Sequence, residues 1–333
     1  MNQQLDVGIV NYNGGASLLS CARSVLAMEG VDVRLFIFDN ASVDNSLAEI
    51  EASGLVVCVQ RSTKNLGYAA ACNALLKSFT APIGVLANMD LVFKPDWGQV
   101  VCKHLQENPQ TGSVATLVLH ADEQSVNATG VQFFWDLHPA NEGSGLPLSQ
   151  VNLQEREVFG CYGAVMAFRM DLARKVGLMS EEFFLFYEET EWYWRWRLAG
   201  FKTVFVPRAI VVHQRSQVTV RHSLLKLYYP ERNRVRSLVR LAPLWWIPFA
   251  FLLSALRFVQ QSRKGIPSQD ASGKKQGKGI ILWTLAKAWL AALVCIPMDL
   301  RIRRRYYLGS LRSPVDILKD VKRYPLSWDA LRR

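Results

Sequence analysis

VRLFIFDNASVD, residues 33–44, is the stretch on which the fold turns. An apolar run stops at Asp39, small polar residues follow, and Asp44 stands where it can cap a following helix. The same phrase recurs on both sides. Upstream, Leu5–Val10 is apolar, the turn Asn11-Tyr12-Asn13-Gly14-Gly15 follows, and a helical pattern runs through Met28. Downstream, Leu55–Gln60 reads as a third strand, with a loop to Gly67 and a helix through about Phe79. Ile83–Asn88 is a fourth strand that stops at Met89-Asp90. Strand and helix alternating in this way predict an α/β fold, an open, mostly parallel sheet covered by helices. Asn11, Asp39, Asn65 and Asp90 all fall just past the C-terminal ends of strands, where open α/β sheets bind ligands. No GxGxxG follows the first strand and no GxxxxGK[ST] occurs, so dinucleotide and P-loop readings lose support.

Farther along, Ser113–Met170 is irregular, with a Gly/Pro/Ser-rich loop at Leu137–Ser149 expected to be mobile. Glu157–Arg169 reads as a strand broken by Gly160 and Gly163. Phe183–His213 then carries Glu188, Glu189 and Glu191 at a helix start, Arg195 and Arg197, a Gly200 stop, a short strand at Thr203–Val206, and His213. Carboxylates beside aromatics at a helix start suit a general base, and a histidine returning on the next strand suits a metal ligand. Alone, the stretch reads equally well as a solvated helix start with core aromatics and an incidental histidine.

The 333 residues are half apolar and include ten Trp, enough for one large domain or two. Six cysteines without a CxxC pair fit reduced thiols in a cytosolic compartment. MNQQLDVGIV has no basic region followed by a long apolar run, so no signal peptide is expected. Without secretion, the sequons Asn40-Ala41-Ser42 and Asn127-Ala128-Thr129 carry no expected consequence. The net charge of +11 divides into −6 over residues 1–220 and +17 over residues 221–333, which places a domain boundary near 220. In the basic tail, Leu241–Val259 and Gly279–Leu300 are apolar, contain Trp245, Trp246, Trp283 and Trp289, and are separated by a flexible linker at residues 265–279. Prolines 243 and 248 and Lys287 make both marginal as spanning helices. Helices lying in an anionic membrane surface are expected, with a re-entrant or spanning pair as the competitor and no nucleic-acid partner.

In order and spacing, VNYNGG, FDNASVDNS, KNLGYAAACN, LANMDLVF, GAVMAFR, FFLFYEETEWYWRWRLAGF, VPRAIVVH and YYPERNR resemble a family 2 glycosyltransferase of GT-A fold over about residues 5–240. The nearest likeness is to the bacterial rhamnosyltransferase-like group. The resemblance implies that Asp39 binds the nucleotide base, with Asn11 and Tyr12 in the same pocket. It implies that Asn65, Gly67 and Asn73 shape the nucleotide-sugar side, and that Arg232, Asn233 and Arg234 close over the diphosphate. Asn88-Met89-Asp90 sits where the family carries D-X-D, making Asp90 a ligand of Mg²⁺ or Mn²⁺ and His213 a further metal contact. Position by position the base falls on Glu189, preceded by Glu188, with Glu191 as the rival. Arg195 and Arg197 could offset diphosphate charge or hold the acceptor, and Arg197 could equally pair with Glu191. Residues 113–170 would supply acceptor-side structure. The implied enzyme is an inverting, metal-dependent transferase at the cytoplasmic face of the bacterial inner membrane. It would use dTDP-rhamnose, or alternatively a UDP-hexose, and a saccharide or lipid-linked saccharide acceptor in surface polysaccharide synthesis. A nucleotidyltransferase is disfavoured because VNYNGGAS lacks basic residues. A catalytically weak scaffold subunit is the non-enzymatic alternative.

Overall fold

Apolar, branched and aromatic residues make β1 (Gln3–Asn11) and β2 (Val31–Asp39) adjacent, largely buried strands of a sheet. The computed structural model describes residues 3–214, 224–263, 277–310 and 312–326. α1 (Ala16–Leu26), α2 (Ser46–Ala52), β3 (Cys58–Arg61), α3 (Tyr68–Ser78) and β4 (Ile83–Asn88) complete the alternation expected from the sequence. β1 lies parallel between β2 and β4, and β3 extends the same edge beyond β2. Gly8 within β1 has a packing reason. A Cβ there would come within 2.8 Å of the Phe79 ring, so the strand could not lie against that aromatic.

After β5 (Leu91–Phe93) and α4 (Trp97–Glu107), the chain makes β6 (Thr111–His120), β7 (Val126–Ala128), the short pair β8 (Val131–Phe133) and β9 (Pro139–Asn141), then β10 (Arg156–Val158), β11 (Val165–Arg169) and α5 (Met170–Val176). The sheet runs β10-β12-β6-β11-β4-β1-β2-β3, where β12 is Lys202–His213. Most of its pairing is parallel, as expected, with antiparallel strands mixed in. β11 is antiparallel to both β4 and β6, because the chain returns from β6 through hairpins instead of a crossover helix. β12 runs well past the expected Thr203–Val206, shifting register between Val206 and Ile210 around Pro207 before pairing on to His213. Leu18, Val25, Trp97 and Val101 from α1 and α4 join Leu5, Val7, Ile9 and Ile37 from the sheet in the main hydrophobic core.

The chain divides into two units, Met1–Val131, Asn141–Phe184 and Phe201–Val218 in the first, Gln132–Ala140, Leu185–Gly200 and Thr219–Arg333 in the second. The expected boundary at 220 falls outside the described residues, as does the expected linker except for residues 277–279. The second unit comprises α6 (Glu188–Leu198), α7 (Leu225–Leu241), α8 (Ile247–Arg263), α9 (Lys278–Val294), α10 (Ile296–Tyr307) and α11 (Pro314–Arg323). Buried charges explain why residues 132–140 and 185–200 go with the tail. Asp136 accepts from Arg257 Nε at 2.9 Å and Ser254 Oγ at 2.8 Å, while Asp299 accepts from Arg236 Nε at 3.0 Å and Arg240 Nε at 2.7 Å. Burial raises the Asp136 carboxyl, but Arg234 and Arg257 outweigh it and hold the group well below the usual carboxylate range. Phe133, Phe134 and Asp136 are thereby buried within the second unit. Removing one partner from such a cluster strands a buried charge, which costs about 3–5 kcal/mol.

Among the described residues no single helix is long and apolar enough to cross a membrane. Lys278–Val294 and Ile296–Tyr307 would pass only as a pair bent by 60°. The bend falls where Pro297 opens α10. α9 buries Ile281, Leu285, Ala288 and Ala292 and exposes Leu282, Trp283, Leu290 and Val294. α8 exposes Phe249, Leu252, Leu256 and Val259, which helical spacing puts on one face.

Candidate functional site

Strand register assembles one side of the candidate site in the first unit. Asn11 lies opposite Asp39, and Val10 opposite Asn88, so three strands end side by side with polar residues. Asn11 is fully buried, and its Nδ2 donates to Asp39 Oδ1 at 2.8 Å, Ser46 Oγ at 2.9 Å and Ser42 Oγ at 3.0 Å. The backbone N–H of Ser42 donates to Asp39 Oδ2 at 3.3 Å. Asn11 Oδ1 has no hydrogen-bond partner among the described residues. Gly14 lies beside it, and a Cβ there would sit 2.5 Å from that oxygen. The Tyr12 ring is exposed and free to cover a flat ligand.

Asn65 and Gly67 shape the adjoining loop. Asn65 Oδ1 accepts from Gly67 N at 2.9 Å and from Asn40 Nδ2 at 3.1 Å. Gly67 has φ +84°, and a Cβ would strike the carbonyl oxygen of Phe184, to which Tyr68 N donates at 2.7 Å. Asn73 differs from expectation. Its Nδ2 donates to Met179 O and Glu181 Oε1, and its Oδ1 accepts from Met179 N, all within 3.0 Å. It fastens the 179–181 segment to α3 and presents no open polar atom to a nucleotide sugar.

Asn88 is half-buried at the end of β4, and Asp90 is 7% exposed two residues on. β5 pairs antiparallel with β12 so that His213 lies opposite Leu91. His213 Nε2 is then 3.1 Å from Asp90 Oδ2, and His213 Nδ1 is 2.9 Å from Asn127 Oδ1. Sequence reading passed over Asn127, whose only signal was a sequon. A cavity of about 620 Å³ opens alongside, lined by Ser17, His120, Asp122 and Gln214. No group of three His, Cys, Asp or Glu residues could hold a metal by itself among the described residues. One carboxylate and one imidazole fit a hard divalent cation whose remaining ligands are phosphate oxygens and water.

The acidic residues of α6 belong to the second unit. Phe184, Phe186 and Tyr187 all have φ between +63° and +77°, an unusual concentration of left-handed backbone in non-glycine residues just before the helix. Asn233, expected at the diphosphate, is fully buried and holds this loop instead, donating to Leu185 O at 3.1 Å and Phe186 O at 2.7 Å. Arg232 Nε donates to Asn233 Oδ1 at 2.9 Å, and its guanidinium lies over the Tyr229 ring at 4.9 Å. The Tyr187 hydroxyl donates to Leu137 O.

The three glutamates separate sharply. Glu191 is fully buried, accepts from Arg195 Nε at 3.1 Å and from the Tyr306 hydroxyl, and lies 3.8 Å from Arg240. Its carboxylate is committed to structure, which removes it as a rival base. Arg195 is its partner, while Arg197 pairs with Asp320 at 3.2 Å and lies over Tyr324. Trp192, Trp194 and Trp196 are core. Glu188 is 3% exposed, and its Oε2 lacks a hydrogen-bond partner among the described residues. Glu189 is half-buried and accepts a long contact from Thr190 Oγ1 at 3.5 Å. Burial raises both carboxyls, Glu188 the more strongly, with the neighbouring Glu189 charge adding to the rise.

An open sheet with polar side chains gathered at the C-terminal strand ends, over an Asp–His pair, defines a nucleotide-binding α/β fold. Residues 6–177 match Glycosyl transferase family 2, and the chain belongs to that family. Its fold is similar to that of GalNAc-T7, solved with UDP, GalNAc and Mn²⁺, at TM-score 0.58 and 13% identity over 92% of this chain. This chain spans 58% of the length of that protein. It is also similar to the mannosyltransferase PcManGT of Pyrobaculum calidifontis, solved with GDP-Man and Mn²⁺, at TM-score 0.53 and 15% identity, covering 97% of this chain and 85% of that one. No curated protein matches this sequence.

Proposed function

We propose that this protein transfers a sugar, with inversion, from a nucleoside diphosphate donor to a saccharide or lipid-linked saccharide at the cytoplasmic face of a bacterial membrane, in surface polysaccharide synthesis. One observation carries the reading: the Asp90–His213 pair stands at the strand edge that also holds the buried Asn11–Asp39 pair, in a chain of this family. Asp39, held by the buried Asn11, offers an acceptor to base N–H groups, and Tyr12 covers the ring. Asp90 and His213 would hold Mg²⁺ or Mn²⁺, as Mn²⁺ accompanies both structural neighbours. Bound there, the cation offsets charge building on the leaving diphosphate. Burial raises both carboxyls, Glu188 the more strongly, which makes Glu189 the readier of the two to take the acceptor hydroxyl proton. Such a base contributes roughly 10²–10⁴-fold. The basic second unit, with the apolar faces of α8 and α9 beside exposed Lys278, Lys287, Arg301 and Arg304, matches an anionic lipid surface.

The rhamnosyltransferase-like resemblance makes dTDP-rhamnose the first donor to try, and the UDP- and GDP-sugar neighbours put those donors in the same screen. Nucleoside diphosphate release should be seen with one donor class in Mg²⁺ or Mn²⁺. D90A and H213A should lose it, and E189Q should fall at least about 100-fold. No turnover with any donor, together with unchanged donor binding by D90A, would sink the enzyme reading and leave a scaffold subunit.

A further inference from the structure

The following rests on the reading that Asp90 and His213 hold the divalent cation. We propose that Asn127 is a positioning residue for that pair, its side-chain carbonyl setting the tautomer and rotation of the His213 ring so that Nε2 offers its lone pair beside Asp90. Asn127 Oδ1 lies 2.9 Å from His213 Nδ1, and an amide oxygen can only accept, so this contact favours the tautomer with the hydrogen on Nδ1, the one that a cation on Nε2 requires. A neutral imidazole has one N–H, which leaves a lone pair on Nε2 facing Asp90 Oδ2 at 3.1 Å. A proton or a metal cation reconciles two such acceptors, and with the ring hydrogen held on Nδ1 the cation satisfies both. Metal-binding histidines are commonly held in this way by an acceptor on the far ring nitrogen.

The backbone supplies an independent reason. β7 pairs with β6 through Val118 opposite Ala128 and Leu119 opposite Val126, so Asn127 is the extra residue of a β-bulge. Bulges re-aim one side chain, and they recur beside active sites. Val126 and Ala128 point into the core on either side of Asn127, which is half-buried. β6 in turn pairs with β12 through His120 and His213, so bulge and histidine stand in one fixed frame.

The test titrates the full-length protein with Mn²⁺ alone, reading affinity and ¹⁴N spin-echo modulation by electron paramagnetic resonance. N127A and N127L should bind Mn²⁺ about 10–100-fold more weakly and lose the ¹⁴N signal, while unfolding near the wild-type temperature. N127D, which keeps an oxygen acceptor at the same place, should retain both. Wild-type binding and modulation in N127A and N127L overturn the proposal, and so does an N127D as defective as N127A. D90A and H213A separate the two readings. If either binds Mn²⁺ as the wild type does, the cation assignment falls and takes Asn127's role with it. If both lose Mn²⁺ while N127A keeps it, only the role of Asn127 falls.

Discussion

Glu188 and Glu189 present carboxyls that desolvation pushes above their ordinary range, and the consequence for pH has a definite sign. The folded state holds protons that the unfolded chain releases near pH 4.5, so stability declines as pH rises from there through the raised values. Activity runs the other way, because a base must be ionised. E188Q removes the carboxyl that burial penalises most and should raise the unfolding temperature at pH 8 by about 2–4 °C, with little change at pH 4. A variant no more stable at pH 8 than the wild type would show that Glu188 is not buried as a strained charge. In sequence Glu189 is singled out only by its place in a motif, and nothing there separates Glu191 from it. The partners that commit Glu191, Arg240 and Tyr306, come from distant helices, and nothing in EETE signals them. Asn73 and Asn233 were misjudged for the same reason. An asparagine tying down backbone looks identical in sequence to one awaiting a ligand.

The element that matters most for the base is the loop ahead of α6. Three left-handed residues there cost of order 1–3 kcal/mol each, and they persist only because the surroundings over-determine them. Asn233 on α7 supplies two of those constraints. N233A should destabilise the protein by about 1–3 kcal/mol through lost hydrogen bonds. It should also lower kcat at least 10-fold with donor KM little changed, because Asn233 aims α6 rather than touching donor. A rise in donor KM with unchanged kcat would instead return Asn233 to the diphosphate. The first four strands were legible to within a few residues because continuous apolar runs between turn residues have few alternative readings. β12 was not, since Pro207 looks like a terminus, whereas the strand bulges past it and continues to His213.

At the scale of the whole molecule, the charge asymmetry seen in composition coincides with a helical unit whose apolar faces are open. Replacing Leu252, Trp283 and Leu290 by Ser should release the protein from phosphatidylserine vesicles in flotation. Binding by the unaltered chain should weaken with salt as screening shortens. Undiminished flotation of the triple variant would remove the membrane from the reading. Deleting residues 241–333 is a poorer experiment than the sequence suggests. It would take Asp299 from Arg236 and Arg240, Tyr306 from Glu191 and Asp320 from Arg197. That interlock also sets a timetable for biosynthesis. The strands of the nucleotide side are complete in the nascent chain when β12 emerges, but α6 must wait for Asp320 before Arg197 finds its ion pair. At ordinary translation speeds of about 5–20 residues per second, α6 stays without that partner for roughly 6–25 s. A ribosome that stalled within the tail would therefore display a sheet able to fold and a helix that cannot, and the proposed base would be the last residue to find its setting.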